Sequence, residues 1–274
     1  MIKIVFPEHK NETVAEAIKK ATEKYGSEFE PVMADSLEEA CEKVRDGVAD
    51  AMVAGIDYTS REVILSCRDI IGVKDTGKTE FDEKTGRPLK KTFSASFVLE
   101  KDGKTFVLGD AAACKNPDEH MLYDIVLQTT ETAEAILNEE PRVAMLSFST
   151  LGSGGNDPSI EKIRAVVNRI HDSFPDFMID GELQLDAAID EKIGNKKAPG
   201  STVAGRANVL IAPDLNSGNI LYKAIEQFGG YTAAGPILQG FNAPVSDLSR
   251  GSTVEDILSV IDVEIKLVNK AREI

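Results

Sequence analysis

The sequence predicts an α/β fold of two domains with mostly parallel sheets, and three observations carry that expectation. Short apolar runs rich in β-branched residues alternate with amphipathic segments from end to end, the pattern of strands that cross over through helices to lie parallel. At 274 residues the chain sits at the upper edge of what one hydrophobic core supports. The texture also changes at "KDTGKTEFDEKTGRPLKK", a polar stretch with Gly and Pro that reads as a linker or surface excursion ahead of a second domain.

The elements follow in order. "IKIVF" is the first strand, and "TVAEAIKKATEKYG" follows with Val14, Ala17, Ile18 and Ala21 at helical spacing. "SLEEACEKVRDG" opens on a capping box from Ser36 to Glu39 and closes on Gly47. "ADAMVAG" is a buried strand. In "DYTSREVILSCRDIIG" one helical face carries Val63, Ile64, Cys67, Ile70 and Ile71, and another carries Arg61, Leu65 and Arg68. "TFSASFVLEKDGKTFVLGDAA" is a hairpin turned at Asp102 and Gly103, which gives the second sheet an antiparallel edge. A helix then starts in "NPDEHMLYDIVLQTTETAEAIL" with Pro117 at its first position. "RVAMLSF" and "ANVLIA" read as strands, "DPSIEKIRAVVNRIHDSF" and "NSGNILYKAIEQFGG" as helices. "GPILQGF" is the final strand, ahead of a long C-terminal helix.

Composition excludes several classes of function. A formal charge of −15 opposes general affinity for nucleic acid or an anionic membrane, both of which need clustered Lys and Arg. No stretch approaches the roughly 20 apolar residues that span a bilayer, and "MIKIVFPEHK" lacks the apolar run of a secretory signal, so the chain reads as cytoplasmic. Cys41, Cys67 and Cys114 are far apart and lack CxxC or CxxH spacing, which suits buried small apolar side chains rather than disulfides or zinc.

Three strand ends run into loops of Ser, Thr, Gly, Asn and Asp: "SFSTLGSGGND", "APDLNSGN" and "LQGFNAPVSDLSRG". In open α/β sheets ligands collect outside the carboxyl ends of strands, which makes Ser147, Ser149, Thr150, Asp214, Asn216, Gly218, Asn219, Gln239 and Gly240 candidate substrate-binding residues. The same residue types also suit plain turns. The first loop is neither a Walker motif nor GxGxxG. After the third, Ser252 and Glu255 form a capping box, which puts Arg250 and Gly251 just ahead of a helix start. A helix start carries about half a positive charge and several free N–H donors, so it adds to the guanidinium in holding an anion. Ser249 supplies a hydroxyl beside that site, and Asp256 in the first helical turn supplies a carboxylate able to accept a proton. The structural alternatives are dipole complementarity for Asp256 and a surface salt bridge for Arg250.

"RVAMLSFSTLGSG", "DGELQLDAAI", "KAPGSTVAGRANVLIAPDLNSGN" and "GPILQGFNAPVSDLSRGSTVEDI" together resemble the phosphate acyltransferase family in its phosphate acetyltransferase branch. The likeness is dense over residues 142 to 257 and traceable in "KIVFPEHKNETVAEA" and "ADAMVAGIDYTSRE". It implies transfer of an acetyl group between acetyl phosphate and coenzyme A, with no metal, no tightly bound cofactor, and coenzyme A as a substrate. It implies a homodimer, and an active site in the cleft between the domains. The first of these would be residues 1–76 with 236–274, completed by the returning C-terminal segment, and the second residues 77–235. The family's catalytic Ser, Arg and Asp fall on Ser249, Arg250 and Asp256.

The sequence departs from the family in three places. It lacks helical material between "EPVMADS" and "LEEACEKVRDG" that carries a substrate-binding Arg in longer members. A second family Arg falls on Leu65, where Arg61 and Arg68, on the same helical face, are the candidate replacements. The family's Cys of a DCA triplet is Ala111. Two other functions fit the same residues: a phosphate butyryl- or branched-acyl transferase, and a non-catalytic acyl-phosphate or coenzyme A binding module like the related domain of malic enzymes. A hydroxyacid dehydrogenase would need a metal-binding carboxylate cluster that the sequence does not offer.

Overall fold

The structure is a computed structural model that describes residues 1–74 and 91–273; most of the stretch read as a linker lies outside them. The chain packs into two compact units, Met1–Phe93 with Gly235–Ile274, and Ser94–Ala234.

The first unit opens with β1 (Ile2–Phe6), α1 (Glu12–Tyr25), β2 (Phe29–Met33), α2 (Leu37–Arg45), β3 (Ala51–Ala54) and α3 (Ser60–Ser66), which continues as a π turn over Cys67–Ile71. β1 lies parallel between β2 and β3. The spacing read in α1 buries Val14, Ala17, Ile18 and Ala21. At α2 the Ser36 hydroxyl accepts the Glu39 N–H at 3.1 Å, while the Glu39 carboxylate reaches back to the Asp35 N–H at 2.8 Å instead of closing on Ser36. β2 has no β-branched alternation, and its Pro31 is compatible with its place at the sheet edge.

The second unit contains β4 (Ser94–Lys101), β5 (Lys104–Gly109), α4 (Glu119–Ile136), β6 (Val143–Leu146), α5 (Pro158–Ser173), β7 (Ile179–Leu183), α6 (Leu185–Ile189), α7 (Glu191–Lys197), β8 (Val209–Ile211) and α8 (Leu215–Gln227). Its strands run in the order β4-β5-β8-β6-β7, antiparallel between β4 and β5 and parallel beyond. Asp102 and Gly103 turn the hairpin with φ of 50° and 76°, the left-handed pair that a tight two-residue turn demands. The strand period of two divides the core. Val107, Met145 and Val209 join Leu122, Ile125 and Ile163 in one cluster, while Leu108, Leu146 and Leu210 join Phe97, Leu183 and Tyr222 in another. Pro117 is not the first residue of α4. The cap is Asp118, whose carboxylate accepts the Met121 N–H at 2.9 Å, so Pro117 precedes the helix.

The chain then runs through β9 (Thr232–Gln239), β10 (Val245–Asp247) and α9 (Val254–Glu273). "GPILQGF" is therefore not the last strand. β10 pairs parallel with β3, Val245 to Met52 and Asp247 to Ala54, and antiparallel with the end of β9. The start of α9 also differs from expectation. Thr253 is its cap, and Asp256, not Glu255, closes the capping box, while Glu255 turns outward to Lys20 at 3.3 Å.

Candidate active site

The first unit gathers its candidate residues on two neighbouring strand ends. β10 and β3 are parallel neighbours, so the β10–α9 connection and the β3–α3 loop leave the same edge of the sheet. The Leu248 N–H donates to the Ala54 carbonyl at 2.6 Å, and the Ser252 N–H closes a turn on the Ser249 carbonyl at 2.9 Å. That turn exposes Ser249 and Arg250, and Arg250 has no ion-pair partner among the described residues. Asp256 accepts the N–H and the hydroxyl of Thr253, both at 2.8 Å and both on Oδ2. Its Oδ1 is left unengaged by that cap. The three side chains expected to do the chemistry thus sit on one connection of eight residues, 249–256, at the positive end of a long helix.

Arg61 and Arg68 part company. Arg61 is exposed on the first turn of α3 with no ion-pair partner among the described residues, whereas Arg68 is held by Asp69 through Nε at 2.7 Å and Nη2 at 3.0 Å. The change to a π turn at Cys67 widens the helix, so Arg68 falls out of the helical register it was expected to share with Arg61. Leu65 is half-buried between them. Gln239 is buried at the end of β9, and Gly240 turns the chain with φ of 82°, its carbonyl accepting the Lys74 N–H at 2.8 Å.

A carboxylate fixes the β3–α3 loop. The buried side chain of Glu8 accepts four successive backbone N–H groups, from Gly55 at 2.7 Å, Ile56 at 3.3 Å, Asp57 at 2.6 Å and Tyr58 at 3.0 Å. Nothing in "FPEHK" distinguishes this glutamate from a surface one.

In the second unit β6 and β8 are parallel neighbours, and the loops after them carry the other candidates. The loop after β6 is bound to itself. The Ser149 hydroxyl is 0% exposed with its residue, donates to Glu182 at 2.8 Å and accepts the Gly154 N–H at 2.8 Å. Thr150 accepts the Gln184 N–H at 3.0 Å, and the Ser147 hydroxyl accepts the Ser149 N–H at 3.3 Å. Glu182, itself 0% exposed, takes Arg164 through Nε at 2.8 Å and Nη2 at 3.0 Å and the Gly152 N–H at 2.7 Å. Burial opposes its charge, but these donors prevail and hold its carboxyl down at about 2. Beside this network lies an open cavity of about 320 Å³ lined by Leu151, Arg164, Val167, Asn168, Gly181 and Glu182.

After β8, Asp214 caps α8 by accepting the Ser217 N–H at 2.9 Å. Gly218 is buried against the chain after β5, where a Cβ would stand 2.2 Å from the Asp110 carbonyl oxygen, so only glycine allows this approach. The Asn219 amide donates to the Ala111 carbonyl at 3.3 Å, while Asn216 is exposed. Asp110 gathers the N–H groups of Ala112, Ala113 and Cys114 at 2.7, 2.9 and 2.9 Å. All three cysteines are buried and none is in a disulfide. Among the described residues no three His, Cys, Asp or Glu side chains gather to hold a metal ion.

A family profile described as "Phosphate acetyl/butaryl transferase" matches residues 1–265. The chain belongs to this family. It is 42% identical over 239 residues to the phosphate acetyltransferase of Treponema pallidum, a match covering 84% of this chain and 67% of that one. A phosphotransacetylase from Streptococcus pyogenes superposes with a TM-score of 0.84 at 30% identity, covering 98% of this chain and 94% of that one. The EutD phosphotransacetylase of Staphylococcus aureus does so with a TM-score of 0.81 at 26% identity over 97% and 94%. Among the described residues no helix is long and apolar enough to cross a membrane.

Proposed function

We propose that this acyltransferase moves an acetyl group between acetyl phosphate and coenzyme A by direct attack of the thiolate in a ternary complex, with Ser249, Arg250 and Asp256 around the reacting centre. The reaction follows from the family and from relatives at about 40% identity that carry this activity in their names. The observation that carries the residue roles is Arg250, with no ion-pair partner among the described residues, beside a helix start whose Asp256 keeps one oxygen free of the cap.

Asp256 Oδ1 takes the proton of the coenzyme A thiol, because the thiolate is the nucleophile. The sulfur attacks the carbonyl carbon of acetyl phosphate, the carbon–oxygen bond to the phosphoryl group breaks, and phosphate leaves as the thioester forms. Arg250 holds the phosphoryl oxygens and offsets the charge that grows on them. Ser249 donates a hydrogen bond to the reacting carbonyl. Arg61 is the replacement for the family Arg at the Leu65 position, since Arg68 is already committed to Asp69. In the second unit the exposed Asn216 remains open to coenzyme A, while Ser149, Thr150 and Gly218 shape the loops after β6 and β8.

A cytoplasmic location is consistent with three buried cysteines, none of them in a disulfide. A homodimer is supported by the family and by Ile220 and Phe228, which α8 leaves in solvent. Incubation with coenzyme A and a panel of acetyl, propionyl, butyryl and isobutyryl phosphates tests the reading. Thioester formation with acetyl phosphate preferred is the expected result; preference for a longer acyl group assigns the butyryl reaction. Coenzyme A binding without any turnover assigns the binding module.

A further inference from the structure

Asp247, the last residue of β10, stands two residues before Ser249 and has no place in the chemistry above. It is 1% exposed, and its Oδ1 has no hydrogen-bond partner among the described residues. The backbone of the β3–α3 loop lies directly against that atom: a Cβ on Gly55 would be 2.2 Å from it. Gly55 can sit there because it has no side chain and adopts φ of 115°. The next residue along, Leu248, is tied to Ala54 through its N–H. Asp247 is therefore wedged between the connection that carries Ser249 and Arg250 and the loop that leads to Arg61.

The charged and titratable groups facing it are all acidic or thiol. Glu8, from the turn after β1, has its carboxylate occupied by the loop amides, and Cys67 approaches from the π turn. The Ser60 hydroxyl on α3 is its hydrogen-bonding neighbour, and among the described residues no cation pairs with it. On the opposite side of β10, Ser246 donates its hydroxyl to Glu264, which is also fully buried.

We propose that Asp247 is a positioning residue for the Ser249–Arg250 turn, and that it holds the two strand-end loops together as the neutral acid. An ionised Asp247 would be a buried charge beside Glu8, with one oxygen unsatisfied and no cation paired with it among the described residues, a state of high free energy. The chain relieves it most easily by letting water in, which moves Leu248 to Arg250 away from the β3–α3 loop. Burial, aided by the smaller repulsion of Glu8 and only partly offset by the Ser60 hydroxyl, pushes this carboxyl up to about 7, so the change falls within the working range of pH.

The proposal rests on the acyltransfer reading only for its activity arm. In that arm, kcat/KM for acetyl phosphate is measured from pH 5.5 to 8.5 for the parent, Asp247→Asn and Asp247→Ala. The amide keeps the shape and cannot ionise, so the ratio of Asp247→Asn to parent rises roughly tenfold between pH 6 and 8, with its midpoint near 7. Asp247→Ala is poorer than Asp247→Asn at every pH. A ratio that stays flat with pH, or equal loss in the two variants, overturns the proposal. The second arm needs no activity: the carbon resonance of the Asp247 carboxyl, assigned in the full-length parent, is titrated. A midpoint near 7 is expected, and one below 5 overturns the proposal even where the variants fail to fold. If the parent has no acyl-transfer activity while the resonance titrates near 7, the reaction assigned above is at fault and the neutral acid stands.

Discussion

The strand-end loops of the two units use similar residues, and they differ in what has become of their charges. In the second unit the buried carboxylate is saturated: Glu182 collects Arg164, Ser149 and the Gly152 N–H, and the loop after β6 is stitched to it. Among the described residues of the first, Arg250 and Arg61 have no ion-pair partner, Asp256 keeps one oxygen outside its cap, and Asp247 has an oxygen without a hydrogen-bond partner. Saturated groups lower the free energy of the free protein and have little left to offer a ligand. Unsaturated ones raise it and are completed by a bound anion or a transferred proton. By that difference the proposed chemistry belongs to the first unit.

The largest expected effect sharpens this contrast. Arg250→Ala loses on the order of 10²–10³-fold in kcat/KM, the loss seen when a preorganised donor at developing charge is removed, with little change in Tm. Arg164→Ala behaves in the opposite way. It leaves the buried Glu182 without its counter-ion, lowers the stability read in a denaturant titration, and lowers activity less than tenfold once the protein is folded. If Arg164→Ala damages turnover more than Arg250→Ala, the division between the units is wrong.

The two carboxylates also predict opposite pH dependences. Glu182 is held at about 2, below the unfolded value of roughly 4.3, so its contribution is fully present above pH 4.3 and is lost as pH falls through 2. Asp247 is raised to about 7 from roughly 3.9, so its contribution is fully present below pH 3.9 and is lost as pH rises through 7. Unfolding free energies measured across pH should show Glu182→Gln flattening the acid limb only and Asp247→Asn flattening the neutral limb only. The smallest effect belongs to the cap. Thr253→Ala costs about 0.5–2 kcal/mol and changes kcat by a small factor, since it removes the hydroxyl and leaves the Thr253 N–H still donating to Asp256.

Much of this was legible beforehand, for reasons that can be named. α1 and α5 follow from apolar residues at helical spacing, and the β4–β5 hairpin from Asp102 and Gly103. β7 was not read because Asp180, Gly181 and Glu182 put polar residues inside a strand, a pattern explained only when Arg164 arrives from α5, eighteen residues away in sequence. β10 was not read because three residues are too few to show a period. At the site, the residues of the β10–α9 connection were legible because a helix start, an Arg and a Ser lie together in the chain. The cap was misassigned by one residue, since Ser252 with Glu255 and Thr253 with Asp256 have the same spacing and the choice depends on where α9 turns relative to the Ser249 carbonyl. Glu8 and Asp247 act through backbone and burial contributed by distant segments, and no local pattern announces them.

The central claim is that Asp256 serves as the base for the thiol rather than only as a helix cap. Initial rates of thioester formation from acetyl phosphate and coenzyme A, measured for the parent and Asp256→Asn from pH 6 to 9.5, test it directly. The account predicts that Asp256→Asn loses on the order of 10²–10⁴-fold at pH 7, binds coenzyme A with nearly the parent affinity, and recovers much of the loss toward pH 9 as the thiol ionises unaided. A uniform loss of less than threefold across that range would contradict it and leave Asp256 with the cap alone.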